Sequence, residues 1–171
     1  MTCVSLIGMP GAGKSTLGVL LAKTLGYDFV DTDLLIQIKA QRTLPEIIAN
    51  QGFMAMRTLE AEVIASLDRT HTVIATGGSA VYSENSMRHL QQLGTIVYLR
   101  SATDTLRQRI GNLQQRGVAV AATETLESIV AERTPLYERY GNVCVDTDQG
   151  SAITVAKLNE VLSPHLEPIP H

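Results

Sequence analysis

Eight residues near the start of the chain, Gly8-Met9-Pro10-Gly11-Ala12-Gly13-Lys14-Ser15, constrain its fold more than any other stretch. They fit the pattern G-x-x-x-x-G-K-[ST], and their surroundings fit as well. A short apolar run, Val4–Ile7, reads as a strand. After the pattern, Leu17, Leu20, Leu21 and Leu25 recur at helical spacing until Gly26 stops the helix. Glycines let a strand-to-helix turn curl so that successive N–H groups point inward at an anion. The helix N-terminus adds the positive end of its dipole. Lys14 can reach β- and γ-phosphates, and the Ser15 hydroxyl can ligate Mg²⁺. The stretch therefore predicts a nucleoside triphosphate cradle, with Gly11, Ala12, Gly13, Lys14, Ser15 and Thr16 as contact residues. A glycine-rich turn carrying no ligand is the plainer alternative, but it leaves the Lys-Ser pair unexplained. The pattern by itself does not separate a metabolite kinase from a GTPase or an ATPase motor. The shortness of the chain and the lack of an Asn-Lys-x-Asp stretch speak against a GTPase.

Beyond the cradle, strand-like and helical runs alternate. Phe29–Val30, Val73–Thr76, Ile96–Leu99 and Val143–Val145 read as further strands. Helices are expected over Met54–Leu67, Glu84–Leu93, Leu126–Arg133 and Ala152–Leu162. Capping boxes at Thr43-Leu44-Pro45-Glu46 and Ser101-Ala102-Thr103-Asp104 open two more, the second running through Arg109. Asn112–Thr123 lacks a period and is expected to be a mobile loop, and Pro164–His171 a frayed tail. Five strands separated by helices imply an α/β fold, a three-layer α/β/α sandwich around a five-stranded parallel sheet. With 171 residues and no linker, the chain is expected to form a single domain over 1–171.

Charge bears on partners. The formal net charge is −3 and no basic run occurs, so neither nucleic acid nor a membrane surface is an expected partner. A compact anion pocket made from a few arginines stays open. The start shows no signal-peptide pattern, no apolar run approaches a bilayer span, and the expected place is cytoplasmic, as a monomer. Cys3 and Cys144 both lie in strand-like runs and read as small core residues.

Asp31-Thr32-Asp33 follows the second strand, at the sheet edge where open α/β sheets place ligands. One carboxylate could hold Mg²⁺ through water while the other orients a substrate hydroxyl or draws off its proton. The same pair could instead cap a helix, with Asp33 placed before Leu34-Leu35-Ile36. Arg57, three residues before Glu60, reads equally as a surface ion pair or as an anion ligand. Arg133 near a helix end reads as a complement to the helix dipole or as a second anion ligand. Bidentate recognition of a carboxylate calls for arginine rather than lysine.

Taken together, the cradle, Asp31-Thr32-Asp33, Arg57-Thr58-Leu59-Glu60, Thr76-Gly77-Gly78 and Arg133-Thr134-Pro135-Leu136-Tyr137 resemble shikimate kinases in order and spacing, over roughly Val4 to Thr147. The resemblance implies a P-loop kinase of ATP and Mg²⁺ that phosphorylates the 3-hydroxyl of shikimate. It implies that Ser15 and Asp31 serve the metal and that Asp33 binds substrate hydroxyls and acts as base. It further implies that Arg57 and Arg133 clamp the substrate carboxylate, that Glu60 steadies Arg57, and that Gly77 and Gly78 let backbone approach the ring. Arg116 matches a lid arginine over the phosphates, and Arg109 one that packs against adenine. Three departures stand out: Ser79 where a third glycine is usual, Arg116-Gly117-Val118-Ala119 where the lid usually reads Arg-Pro-Leu-Leu, and Phe53 and Met56 around Arg57. They leave two alternatives in view, a kinase of another hydroxylated acid such as gluconate, and a nucleotide-binding relative without catalysis.

Overall fold

The computed structural model describes residues 2–111, 117–121 and 123–166. Its strands are Cys3–Ile7 (β1), Asp28–Asp31 (β2), Thr72–Ala75 (β3), Gly94–Arg100 (β4) and Val143–Asp146 (β5). The helices are Lys14–Leu25 (α1), Thr32–Ala40 (α2), Leu44–Gln51 (α3), Phe53–Ala65 (α4), Glu84–Leu93 (α5), Thr103–Ile110 (α6), Leu126–Tyr140 (α7) and Ser151–Leu162 (α8). All strand pairs are parallel, in the order β2-β3-β1-β4-β5, with Ser5 of β1 in register with Ile74 on one side and Ile96 on the other. The chain leaves β1 towards β2 and β3, then crosses back over β1 to reach β4. That reversal opens a crevice off the carboxyl end of β1, where such sheets bind their ligands. Right-handed crossovers in opposite directions put helices on opposite faces. Accordingly α1 packs on β1, β2, β3 and α8, whereas α5 packs on β1, β4 and α4, with α7 over β4. The expected three-layer sandwich is what forms.

Burial follows position in the sheet. β1 is central and wholly buried, and its neighbours Ile74, Ile96 and Leu99 join Leu6, Leu21, Met87, Leu90 and Leu158 in the main core. A second apolar cluster joins Ile36, Ile47, Met56 and Val63, from α2 to α4, with Ala119. β5 is an edge strand, and Cys144 is exposed on it, not in the core, while Cys3 is buried.

Several boundaries differ from the sequence reading. α7 does not stop at Arg133 but runs through Pro135 to Tyr140. Proline weakens a helix interior, but burial of Tyr137 and Tyr140, and stacking of Tyr137 on Tyr98 at 5.2 Å, hold the last turns on. The α6 N-cap is Ala102, without a side-chain cap bond, because the Ser101 hydroxyl meets Thr147 Oγ1 instead. Thr43 does open α3 as expected, its N–H donating to Glu46 Oε2 at 2.8 Å. Within the expected mobile loop, Val118, Ala119 and Val120 are buried and packed; 112–116 and 122 lie outside the described residues. Of the expected tail, Pro164 and His165 belong to a 3₁₀ turn and Leu166 packs on the core; 167–171 lie outside. No helix among the described residues is long and apolar enough to cross a membrane.

Candidate active site

A cavity of about 580 Å³ occupies the crevice. Residues 11–16 and Arg109 line one end of it, and Asp33, Glu60, residues 77–79 and Arg133 the other. The first end is made by the turn between β1 and α1. Gly13 stands at φ 92°, in the left-handed region that only glycine adopts freely, and α1 begins immediately after it. Ser15 and Thr16 lie exposed in the first turn of that helix. Lys14 is buried, and its ammonium donates to Gly8 O at 2.7 Å and Met9 O at 2.9 Å. Burial lowers its pKa to about 8, against the opposing pull of Asp33 and Glu60. Arg109 Nη2 donates to Thr147 O at 3.0 Å, beside the cradle, so its side chain bridges α6 and the end of β5.

The second end is assembled from distant parts of the chain. The cap reading of Asp31-Thr32-Asp33 holds, but at the other residue: Asp31, not Asp33, caps α2, its Oδ1 accepting from Asp33 N at 2.9 Å. The cap starts the helix so that Asp33 lies in its first turn, on the cavity wall. Thr32 between them is buried, and its hydroxyl accepts from Gly77 N at 3.1 Å, tying α2 to the loop after β3. A side chain on Gly77 would have its Cβ 2.1 Å from Glu60 Oε1 and 3.0 Å from Asp33 Oδ1. On Gly78 it would lie 2.8 Å from Pro10 Cδ and 3.0 Å from Arg133 Nη1. Two glycines are needed because charged groups crowd the backbone from both sides.

That crowding sets the electrostatics. Burial pushes the Asp33 carboxyl up to about 6, with the Asp31 charge adding and Lys14 opposing. Burial also pushes Glu60 up to about 7, with Asp33 adding, while a hydrogen bond from Ser79 and the charges of Arg133 and Lys14 oppose. Two buried carboxyls beside a buried lysine in one cleft are the arrangement from which acid–base sites are made.

Arg57 and Arg133 converge, as the resemblance implies. Arg57 Nε and Nη2 and Arg133 Nη2 all donate to one atom, the carbonyl oxygen of Ala119, at 3.3, 3.2 and 3.3 Å. Tyr82 joins them: its ring lies 4.0 Å from the Arg57 guanidinium and 5.2 Å from that of Arg133, and its hydroxyl accepts from Arg133 Nε at 3.1 Å. Phe53 stacks on Arg57 at 5.1 Å. Arg133 is fully buried, and its Nη1 has no hydrogen-bond partner among the described residues. Tyr137 donates to Gly78 O at 2.6 Å and so fixes the glycine loop.

The expectation that Glu60 steadies Arg57 is not met. The Glu60 carboxylate accepts from Ser79 Oγ, and Arg57 is steadied by Ala119 and two aromatic rings. Asp31 is set back from the cavity wall, which Asp33 forms. Arg116 lies outside the described residues. The sequence reading gives no role to Thr32 or Tyr82, and Tyr137 enters it only as the end of the Arg133-Thr134-Pro135-Leu136-Tyr137 run. Thr32 was in view between two carboxylates, and Tyr82 follows the glycines by one short turn, the only local hint of its place.

A family model described as shikimate kinase matches residues 10–163. The chain belongs to the shikimate kinase family. "Shikimate kinase 2" of Yersinia enterocolitica is 32% identical over 165 residues, covering 94% of this chain and 95% of its own. The solved shikimate kinase from Acinetobacter baumannii, in complex with shikimate, superposes with a TM-score of 0.87 at 32% identity, over 98% of this chain and 96% of that one. Deoxyadenosine kinase from M. mycoides shares the fold alone, with a TM-score of 0.60 at 15% identity over 95% and 98% of the two chains.

Proposed function

We propose that this shikimate kinase family member transfers the γ-phosphoryl group of ATP to the 3-hydroxyl of shikimate, giving shikimate 3-phosphate and ADP. The observation that carries the reading is the meeting of Arg57 and Arg133 on a single oxygen, with Asp33 facing the same cavity. Two guanidiniums aimed at one point suit a carboxylate, and a carboxylate across from them suits a hydroxyl.

In this reading the substrate carboxylate takes the place of the Ala119 carbonyl, which neutral backbone cedes to a full negative charge. Arg133 Nη1, buried and without a hydrogen-bond partner among the described residues, gains one at that moment. Asp33 orients the acceptor hydroxyl and takes its proton as the new O–P bond forms. Lys14 leaves the carbonyls of Gly8 and Met9 for the phosphates, where its charge offsets that developing in transfer. Arg109 and Arg116 serve the nucleotide end.

The residues present fit Mg²⁺. Among the described residues no three His, Cys, Asp or Glu side chains gather as a self-sufficient metal site. One exposed hydroxyl, Ser15, and one recessed carboxylate, Asp31, are what an ion that keeps its waters and leans on phosphates requires. When bound, Mg²⁺ neutralises phosphate charge; Ser15 would hold it directly and Asp31 through water.

Coupled ADP release with MgATP, with and without shikimate, tests the reading, and phosphorus NMR of the product locates the phosphate. Shikimate-dependent turnover yielding the 3-phosphate is expected. Turnover with gluconate and none with shikimate would overturn the substrate, and none with any hydroxylated acid would overturn the activity.

A further inference from the structure

Ser79 is only 7% exposed, and its hydroxyl donates to Glu60 Oε2. The other oxygen of that carboxylate, Oε1, is buried with no hydrogen-bond partner among the described residues, against Gly77 and beside Asp33 on the cavity wall. The two oxygens of Glu60 are thus divided, one tied to the protein and one left for whatever enters. An unmade hydrogen bond at a buried carboxylate is costly until a donor arrives. Arg57, one helical turn before Glu60, is at the spacing where ion pairs form by default, yet its guanidinium goes to Ala119 and Tyr82. Arg133 and Lys14 also face Glu60, with Asp33 and Tyr137 completing its charged and titratable surroundings. A carboxylate not held by Ser79 would have cations to turn to, and any such turn would cover a guanidinium that the substrate needs.

We infer that Ser79 is a positioning residue for phosphoryl transfer: its hydroxyl fixes Glu60 so that Oε1 accepts a hydrogen bond from a hydroxyl of the acceptor while Arg57 stays open to the acceptor's carboxylate. This rests on the acceptor reading of the cavity given above. The bond from Ser79 also favours the ionised form of Glu60 against the effect of burial, and the ionised form is the one that accepts. Ser79 touches no reacting atom; it acts through Glu60.

Kinetics with MgATP and shikimate separate this role from a structural one. Ser79→Ala should raise KM for shikimate about tenfold, the scale of one hydrogen bond to a charged group, with KM for ATP unchanged. Added to Glu60→Ala, the same substitution should change KM by less than about twofold, because the bond it removes serves Glu60 alone. An unchanged KM in Ser79→Ala, or an equal effect with and without Glu60, would overturn the inference. If the unsubstituted chain fails to turn over shikimate, the acceptor reading fails, and crystal structures of the unliganded chain and of Ser79→Ala read the device directly. Glu60 swung onto Arg57 or Arg133 in the variant supports the inference, and Glu60 unmoved overturns it.

Discussion

At the end of the cavity proposed for phosphates, residues 11–16 form one unbroken stretch of the wall, whereas the end proposed for the acceptor draws Asp33 from α2, Glu60 from α4, the glycines from the loop after β3, and Arg133 from α7, with Arg57 of α4 reaching the lining only through the Ala119 carbonyl. The first end comes from one turn and the start of α1, with Arg109 of α6 beside it. The second is dispersed and made of charged side chains. Backbone dipoles in a turn are fixed when the turn folds, and they bury no net charge. Buried carboxylates and guanidiniums must be held by neighbours, and here those neighbours are Thr32, Ser79, Tyr82, Tyr137 and the carbonyl of Ala119. The difference teaches where fragility lies. Substitutions at the first end should act through the nucleotide, and those at the second through the acceptor.

The sharpest break of that contrast is at Lys14, the one charged side chain of the phosphate end that faces the carboxyls of the other. Lys14→Ala is expected to lower kcat on the order of 10³-fold, the scale for losing a preorganised charge at a transition state. Single-turnover kinetics would check it; a loss below tenfold would leave the cradle without its cation's role.

Next in size is the pH dependence. Asp33, raised to about 6, is protonated below that value and then can no longer take the acceptor's proton. kcat/KM should begin to decline below about pH 7 as Glu60 takes up a proton, steepen to at least tenfold per pH unit below roughly pH 6 as Asp33 follows, and fall on the alkaline side above about 8 as Lys14 loses its charge. Asp33→Asn should flatten the acid limb along with most of the activity. An acid limb near pH 4 would mean that burial does not govern this carboxyl.

A smaller effect belongs to Tyr82. Tyr82→Ala removes the ring beneath both guanidiniums and should raise KM for the acceptor about tenfold, the worth of a partly buried cation–π contact. Tyr82→Phe keeps the ring and loses only the hydroxyl that Arg133 uses. It should cost less, and equal losses in the two variants would put the hydrogen bond above the stacking.

The same contrast explains what could be read from sequence. The cradle was legible because its function lies in consecutive residues whose spacing the chemistry dictates. The sheet was legible too, since each strand carries its own apolar run, although Cys144 shows that an edge strand cannot be told from a central one by its own residues. Asp33, Arg57 and Arg133 stand out through the resemblance that several short motifs make together; taken singly, each leaves its bland reading open. Their supports do not stand out. Thr32 reaches Gly77 across 45 positions, and Arg133 reaches Ala119 in a stretch whose sequence lacks any period. Pairings set by tertiary packing leave no periodic trace, so Glu60 was placed with its helical neighbour Arg57 when the fold gives it to Ser79.

The central claim, that one end takes the nucleotide and the other an anionic acceptor, is tested most directly by calorimetric binding of MgATP and of shikimate, each alone, to the unsubstituted chain and to Arg133→Ala. The account predicts that the variant keeps its affinity for MgATP and loses that for shikimate by about a hundredfold, as for a buried charged hydrogen-bond partner removed. Shikimate affinity left intact, or both affinities lost together, would contradict it.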